Sequence, residues 1–313
     1  MSATVLSDTK REKYKVRGRF DPAGVRYSTA WLSAGAGAGL AGALAVRAGG
    51  PLVLAAMGLA SLGGALYATL VEPRRPVLER LNLRFAQLPA ALEGLRIGVL
   101  GDMHLGHPFA EQNTRWAVAQ MVREQPELIV ITGDFVSYDH AIPSLADLLR
   151  PLRAPLGVFA VPGNHDYWEG VNTVRAAVEP LGVSFLINRG QRIERDGGAF
   201  YMAGIDDEWE GEADLGHAML GRDGLFSILL AHAPDIADEA ARQGVDLQIS
   251  GHTHGGHLRL PLLGAFALPF YGTRYPIGHE RIDRTQLYVS RGLGGFPLRL
   301  NCPPEATILT LTR

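Results

Sequence analysis

The chain has 313 residues, of which 47% are hydrophobic and 20% charged, with a formal net charge of −2. That is enough apolar mass for a sizeable core, and the near-neutral balance excludes the strongly basic domain that usually carries duplex binding, so nucleic acid is not an expected partner. A single cysteine, Cys302, excludes both an intrachain disulfide and a thiolate zinc ribbon.

In chain order, residues 1–26 read as a basic tail containing Lys10, Arg11, Lys13, Lys15, Arg17, Arg19 and Arg26. No charge appears from Tyr27 to Val46, nor, after the break RAGG, from Pro51 to Val71. Each run is about the twenty residues that a helix needs to cross hydrocarbon. The expectation is a membrane anchor over 27–71, a transmembrane helical hairpin in which Gly35 and Gly39 suit close helix contact. Arg74, Arg75, Arg80 and Arg84 follow the anchor and only Arg47 lies inside it, so the positive-inside rule puts both ends on the cytoplasmic side of the cell inner membrane. A single span would reverse that side. EPRRP, 72–76, reads as a linker to one domain over 77–313.

That domain begins with RLNLRFA, whose alternation reads as a half-exposed strand. Short apolar runs follow, each closed by a polar loop: RIGVL before GDMH, ELIVI before TGD, GVFAV before PGNHDYW, FSILL before AHAP and DLQI before SGHTH. Helical segments at Glu111 to Arg123, Ser144 to Leu149, Val171 to Val178 and Pro234 to Arg242 separate several of them. The alternation predicts a layered α/β domain with helices covering its sheets. All five loops carry Asp, His or Asn just past a strand's carboxyl end, where such sheets place their ligand sites.

The donor types are Asp102, His104, Asp134, Asn164, His165, His232, His252 and His254. Carboxylate, amide and imidazole donors together can satisfy two divalent first-row metals. In Asp102-Met103-His104 and His252-Thr253-His254 a spacing of two points both outer side chains to one side of an extended segment.

As an ordered set, GDMH, TGDF, PGNHDYW, AHAP and SGHTH resemble the calcineurin-like metallophosphoesterase superfamily, over roughly Leu81 to Thr312. The resemblance implies a two-sheet sandwich flanked by helices. It implies that Asp102, His104, Asp134 and His254 hold one ion, and that Asp134 bridges to a second ion completed by Asn164, His232 and His252. Manganese is the first expectation, with iron or zinc as alternatives. His165 takes the place of the family's histidine at the leaving group, and Asp166 is expected to orient its ring.

Further segments, among them AGIDDEW, LYVSRGLGG and NCPPEATILTL, resemble a bacterial membrane-associated subgroup that includes phosphodiesterases and UDP-2,3-diacylglucosamine hydrolases of lipid A synthesis. The implied function is hydrolysis of a phosphodiester or pyrophosphate bond, with a nucleotide-lipid substrate held at the bilayer. Tyr271, Arg274, Tyr275 and Arg291 offer aromatic faces and cations for a nucleotide or second phosphate. His257, where the subgroup generally has an amide, is a further candidate substrate contact. A nuclease of the same superfamily and a non-catalytic scaffold are the alternatives, and the filled ligand positions speak against the second. A protein phosphatase is disfavoured because TGDFVSYDH lacks the arginine that branch carries after its GD motif. Nothing in the sequence indicates an oligomeric state.

Overall fold

The computed structural model describes residues 25–313, so nearly all of the expected basic tail lies outside the described residues. The strands, in chain order, are β1 (Val25–Tyr27), β2 (Val77–Arg84), β3 (Arg96–Leu100), β4 (Leu128–Ile131), β5 (Val158–Ala160), β6 (Val183–Phe185), β7 (Arg189–Arg195), β8 (Gly198–Gly204), β9 (Phe226–Leu230), β10 (Leu247–Ser250), β11 (Arg259–Leu260), β12 (Gly264–Ala265), β13 (Ala267–Pro269), β14 (Gly278–Ile282), β15 (Thr285–Val289) and β16 (Glu305–Thr312). They form two six-stranded sheets, ordered β2-β16-β3-β4-β5-β6 and β14-β15-β10-β9-β8-β7, with two small ribbons, β1-β13 and β11-β12.

The apolar runs are continuous because each strand of the sheet centre is buried on both faces. In β3 and β4, Ile97, Val99, Leu128 and Val130 meet the second sheet's Phe200, Met202, Ile228 and Leu247. Their neighbours Leu100, Ile129 and Ile131 point the other way, onto the helices Ala110–Glu124, Ile142–Leu149 and Val171–Val178 through Val118, Met121, Leu145 and Val174. The outer face of the second sheet, with Tyr201, Ala203 and Leu229, is covered by Leu215, Ala218 and Ala240. This is the two-sheet α/β sandwich that the sequence predicts. Edge strand β2 buries Leu83 while Arg80, Asn82 and Arg84 stay outside or at the margin, which explains its alternating reading.

Preceding the sandwich, Thr29–Leu66 is helical apart from Gly50, whose φ of 63° and ψ of −154° break it within the charged interruption RAGG. Among the described residues, one helix, Leu52–Arg74 at 23 residues, is long and apolar enough to cross a membrane; the first run supplies a shorter apolar helix, Gly35–Leu44. The difference from the two spans expected has a compositional reason, since GAGAG offers little side-chain surface. The residues expected as a linker are docked rather than loose. Glu72 and Pro73 are buried, and Glu72 Oε1 accepts a hydrogen bond from Cys302 N at 2.5 Å.

Candidate metal centre

β3, β4, β5, β9 and β10 end at one edge of the sandwich, and parallel pairing within each sheet aligns their carboxyl ends. Backbone bonds then lace the loops together. Asp102 N donates to Gly133 O at 2.9 Å, His104 N to Asp134 O at 3.0 Å, and Gly251 N to His232 O at 3.0 Å. Glycines let these loops interpenetrate: a Cβ on Gly163 would sit 2.2 Å from Asp134 Oδ1, and one on Gly251 would sit 2.1 Å from Asp102 Oδ2.

Three overlapping groups have ligand atoms within 4.8 Å of one another: Asp102, His104 and His254; His104, Asp134 and His165; Asp134, His232 and His252. Asp134 Oδ2 lies 3.3 Å from Nε2 of both His104 and His232. The facing imidazole nitrogens are 3.0 Å apart in His104 and His254 and 3.1 Å apart in His232 and His252. Two nitrogens each about 2.1 Å from one ion at a right angle would be about 3.0 Å apart, so both spacings fit shared cations.

The remaining atoms of each ligand are spent on fixing it. Asp134 Oδ1 accepts from His165 N at 2.9 Å, and Asp102 Oδ1 from His252 N at 2.8 Å. His104 Nδ1 meets Ser137 Oγ at 2.7 Å, His232 Nδ1 donates to Thr132 O at 2.6 Å, and His252 Nε2 to Phe270 O at 2.8 Å. Each of those rings thus keeps one nitrogen for the cluster, as outer partners of metal-bound histidines commonly ensure.

Two observations test whether divalent ions suit this set. Asp102 Oδ2 and Asn164 Oδ1 are buried acceptors without a hydrogen-bond partner among the described residues. Burying carboxylates in this way is costly unless a positive charge compensates. Burial raises Asp102 to about 6, and the neighbouring Asp134 adds to the shift. For Asp134 itself burial is outweighed by His232, His165 and His104, which hold it well below the carboxylate range. Burial likewise opposes protonation of His232, but Asp134 and Asp102 raise it well above its ordinary range. His165 and His252 are each lowered by burial to about 3, and His254 is driven well below the histidine range, so these rings are neutral and carry a free lone pair. The residues fit divalent metal ions.

Backbone strain marks the same residues. Asp102, His104, Asp134, His252 and His254 all have positive φ, from 46° to 72°. Asp and His tolerate this region better than most, yet each instance costs on the order of 1 kcal/mol or more and concentrates at functional sites.

Several expected substrate residues are engaged elsewhere. Arg291 is not free for a phosphate: its guanidinium pairs with Glu79 at 2.5 Å and with Glu305, tying β2 to β16. Arg274 pairs with Asp238 at 2.5 Å, and Tyr275 donates to the same carboxylate at 2.9 Å while its ring packs with Val289. His257 does reach the centre, stacked on His254 with 4.7 Å between ring centroids, and its Nδ1 meets Leu298 O at 3.2 Å. Tyr271 is exposed, one residue beyond the Phe270 carbonyl that holds His252.

Asp166 does not orient His165. Its Oδ1 accepts from Phe135 N at 2.9 Å and Val136 N at 3.4 Å, and its Oδ2 accepts from Gly163 N at 3.0 Å. Helix Asn164–Glu169 turns this carboxylate back onto its own N-terminus and the Asp134 loop, which makes Asp166 a structural cap. His165 instead lies edge-on to His104 at 4.4 Å and against Trp168 at 4.3 Å. Trp209, next to His252 at 5.9 Å, extends this aromatic wall.

Arg299 joins the site from outside the five motifs. It is 1% exposed, and its guanidinium donates to His254 O at 3.2 Å, Gly294 O at 2.7 Å and Arg291 O at 2.9 Å, with one nitrogen 3.1 Å from His254 Nδ1. PLRLN reads as an ordinary polar position between leucines, and no local signal marks it. Asp207 and Glu208, within AGIDDEW, are two further acidic groups near His232. Both are raised by burial, to about 7 and about 8, and Glu208 accepts from the N–H of Ala233, beside His232, at 3.4 Å.

A sandwich with oxygen and nitrogen donors gathered at its strand ends is an architecture suited to holding divalent metal ions. Residues 95–256 match the family model for calcineurin-like phosphoesterases. The chain is 35% identical over 268 residues to the uncharacterized metallophosphoesterase YkuE of Bacillus subtilis, covering 82% of this chain and 93% of that one. It is 32% identical over 259 residues to the phosphodiesterase YaeI of Escherichia coli, covering 81% and 94%. A transmembrane protein with metallophosphoesterase domain from Danio rerio is 31% identical over 269 residues, covering 79% of this chain and 60% of that protein. The chain belongs to the calcineurin-like phosphoesterase family.

Proposed function

We propose that this protein is a membrane-attached phosphodiesterase that cleaves phosphodiester or pyrophosphate bonds with two divalent ions, manganese first and iron or zinc as alternatives. The observation that carries the reading is the shared position of Asp134 Oδ2, 3.3 Å from His104 Nε2 on one side and from His232 Nε2 on the other. Asp102, His104, His254 and Asp134 would hold one ion; Asp134, Asn164, His232 and His252 would hold the other. Such a pair supplies positive charge to the phosphoryl oxygens and acidifies a water molecule.

The chain contributes the rest. Asp102 and Asp134 each commit one oxygen to a backbone N–H, so the other is aimed and cannot rotate away. His165 sits half-buried beside this pair, between His104 and Trp168. Because burial keeps its ring neutral down to about pH 3, it meets the leaving oxygen as a neutral N–H donor. Trp168 and Trp209, with ring centroids 6.0 Å apart, flank it on that side.

Membrane attachment is supported by the apolar helix Leu52–Arg74 and by the transmembrane relative. A two-helix hairpin is supported by the break at Gly50 and by the approach of Met57 Cε to Gly42, where a Cβ would lie 2.9 Å away. The flanking arginines favour the cytoplasmic face of the inner membrane. An amphiphilic substrate suits this attachment, and a nucleotide-lipid such as UDP-2,3-diacylglucosamine is the form to try first; a net charge of −2 gives no reason to expect nucleic acid.

The test is metal-stripped full-length protein in detergent, resupplied separately with manganese, iron(II), zinc and magnesium. Bis(4-nitrophenyl) phosphate and UDP-2,3-diacylglucosamine are offered in parallel. Two bound ions per chain with metal-dependent turnover of the diester is the expected result. Turnover without metal, or none with any ion, overturns the reading; refusal of the lipid alone removes only that substrate. His165→Ala should keep both ions and lose roughly 10²- to 10⁴-fold on a poor leaving group, with a smaller loss on the nitrophenyl ester.

A further inference from the structure

We infer that the loops 257–271 and 295–301 form a lip seated in the bilayer interface, so that the metal centre takes its substrate from the lipid surface. This rests on the membrane attachment proposed above and adds a second, independent point of contact.

Both ends of the apolar region are fastened to these loops. Before the helix, β1 pairs with β13, and Ser28 N donates to Phe266 O at 2.7 Å. At its far end, Ala68 O accepts from Arg299 N at 2.8 Å, and Glu72 Oε1 takes the N–H of Cys302, next to loop 295–301. Asn113 donates from one amide to both Pro73 O and Leu293 O at 2.8 Å, closing the junction from the sandwich side. A helix end held by short hydrogen bonds cannot move far from the loops that hold it. Where the helix enters lipid, the loops arrive at its surface.

Their side chains suit that surface. Among the described residues outside the N-terminal helix, the large apolar side chains left exposed are Val122, Leu220, Leu262, Phe270, Tyr271 and Phe296, and four of these six belong to the two loops. Leu262 stands at the tip of the β11-β12 ribbon, fully exposed; Phe296 is 62% exposed, Tyr271 47% and Phe270 37%. A bridge between Leu258 and Leu300 joins the ribbon to the second loop, so the four residues belong to one structure. An apolar group with aromatic members is the composition of a membrane-interface belt. Exposed Arg74 and Arg75 at the helix end supply cations for anionic headgroups.

This lip is also the rim of the metal centre. Phe270 holds His252 through its carbonyl, and Tyr271 is the next residue. Gly295 packs so closely on the His254 ring that a Cβ would meet Cε1 at 2.7 Å, and Phe296 is the next residue. On either side, one peptide unit separates a proposed ligand's support from an exposed apolar side chain.

The experiment uses the full chain in vesicles of phosphatidylethanolamine and phosphatidylglycerol, with a nitroxide on an introduced cysteine; native Cys302 is buried and stays unlabelled. Labels go at Leu262→Cys and Phe296→Cys, with Leu59→Cys reporting on the apolar helix and Val122→Cys on the exposed face of the helix that leads to β4. Relaxation by oxygen and by a water-soluble nickel chelate is compared. The expected oxygen-to-nickel ratio is several-fold higher at 262 and 296 than at 122, and below that at 59, which lies deeper in the bilayer. Ratios at 262 and 296 equal to that at 122, with 59 in lipid, overturn the lip and leave the attachment standing. Lipid-like ratios at 262 and 296 with 59 in water keep the lip and discard the spanning helix, and water-like ratios at all four sites discard both.

Discussion

Two regions of the molecule invert the usual distribution of residues, in opposite senses. The strand-end loops bury carboxylates and imidazoles, among them Asp102, Asp134 and His232 at 1% exposure or less. The N-terminal helix exposes leucines, with Leu52, Leu59 and Leu62 all more than half accessible. In isolation each arrangement opposes folding: one leaves desolvated polar atoms, the other leaves apolar surface in water. Each becomes favourable with a partner of the matching character, cations for the first and hydrocarbon for the second. They also differ in how they are built. The loops depend on long-range bonds and positive φ, whereas the helix needs only composition and length.

The largest expected effect breaks the first region. Asp134→Ala removes the oxygen common to both clusters and should abolish retention of at least one ion, read by elemental analysis, with turnover falling by more than the ~10²–10³-fold that losing a single transition-state contact costs. Metal itself should stabilise the wild-type fold. At 100 times its dissociation constant, a ligand that binds only the native state adds about 2.7 kcal/mol, and a chain of this size should then melt some 5–10 °C higher. Asp134→Ala should lose most of that increment. An unchanged Tm on adding metal to wild type would separate the buried carboxylates from metal binding.

The second region is broken by Leu59→Arg, near the middle of Leu52–Arg74. A cation there costs roughly 2.5–3.5 kcal/mol of insertion. The variant should shift markedly from the membrane pellet toward the soluble fraction while the sandwich keeps its melting temperature. Full retention in the membrane would place the attachment elsewhere in the chain.

The two regions were also legible to different degrees. Runs such as RIGVL and FSILL coincide with β3 and β9, and Val171–Val178 is helical as read, because burial on two faces or on one stripe leaves its period in the sequence. The metal loops were visible because Asp, His and Asn recur after those runs. What escaped depends on partners far along the chain. Arg299 reaches the site through His254, 45 residues away, and Asp166 is tied to the N–H groups of Phe135 and Val136, about 30 residues away. Arg291 looked like a phosphate ligand because Glu79, 212 residues away, had no visible connection to it. The left-handed backbone at five of the donors leaves no trace in residue type beyond a bias toward Asp and His.

Asp166→Asn sharpens the distinction between supporting a loop and taking part in chemistry. An amide presents one acceptor where the carboxylate presents two, and Asp166 uses both oxygens. Leaving a buried N–H unsatisfied costs about 1–3 kcal/mol, so Tm should fall by several degrees. The pH profile of kcat should keep its shape, because no bond runs from Asp166 to the His165 ring. A displaced profile at unchanged metal content would reinstate Asp166 as the group that orients His165.

The smallest effect lies away from both regions, where the sandwich behaves as ordinary protein. Glu124 is held below its usual 4.5 chiefly by its hydrogen bond to Arg80, with burial opposing and Arg96 assisting. A carboxylate with a lowered native pKa contributes stability that is present above its unfolded value and lost as pH falls through the folded one. Exposed pairs of this kind are worth about 0–1 kcal/mol. Glu124→Gln should therefore melt only slightly below wild type at neutral pH, and the gap should close on acidification below about 4. A gap that persists in acid would mean that Glu124 acts through packing rather than charge. Because metal-free and metal-loaded protein should show the same small gap, this pair also measures how far the metal centre's energetics are confined to its own loops: coupling would appear as a gap that changes on metal addition.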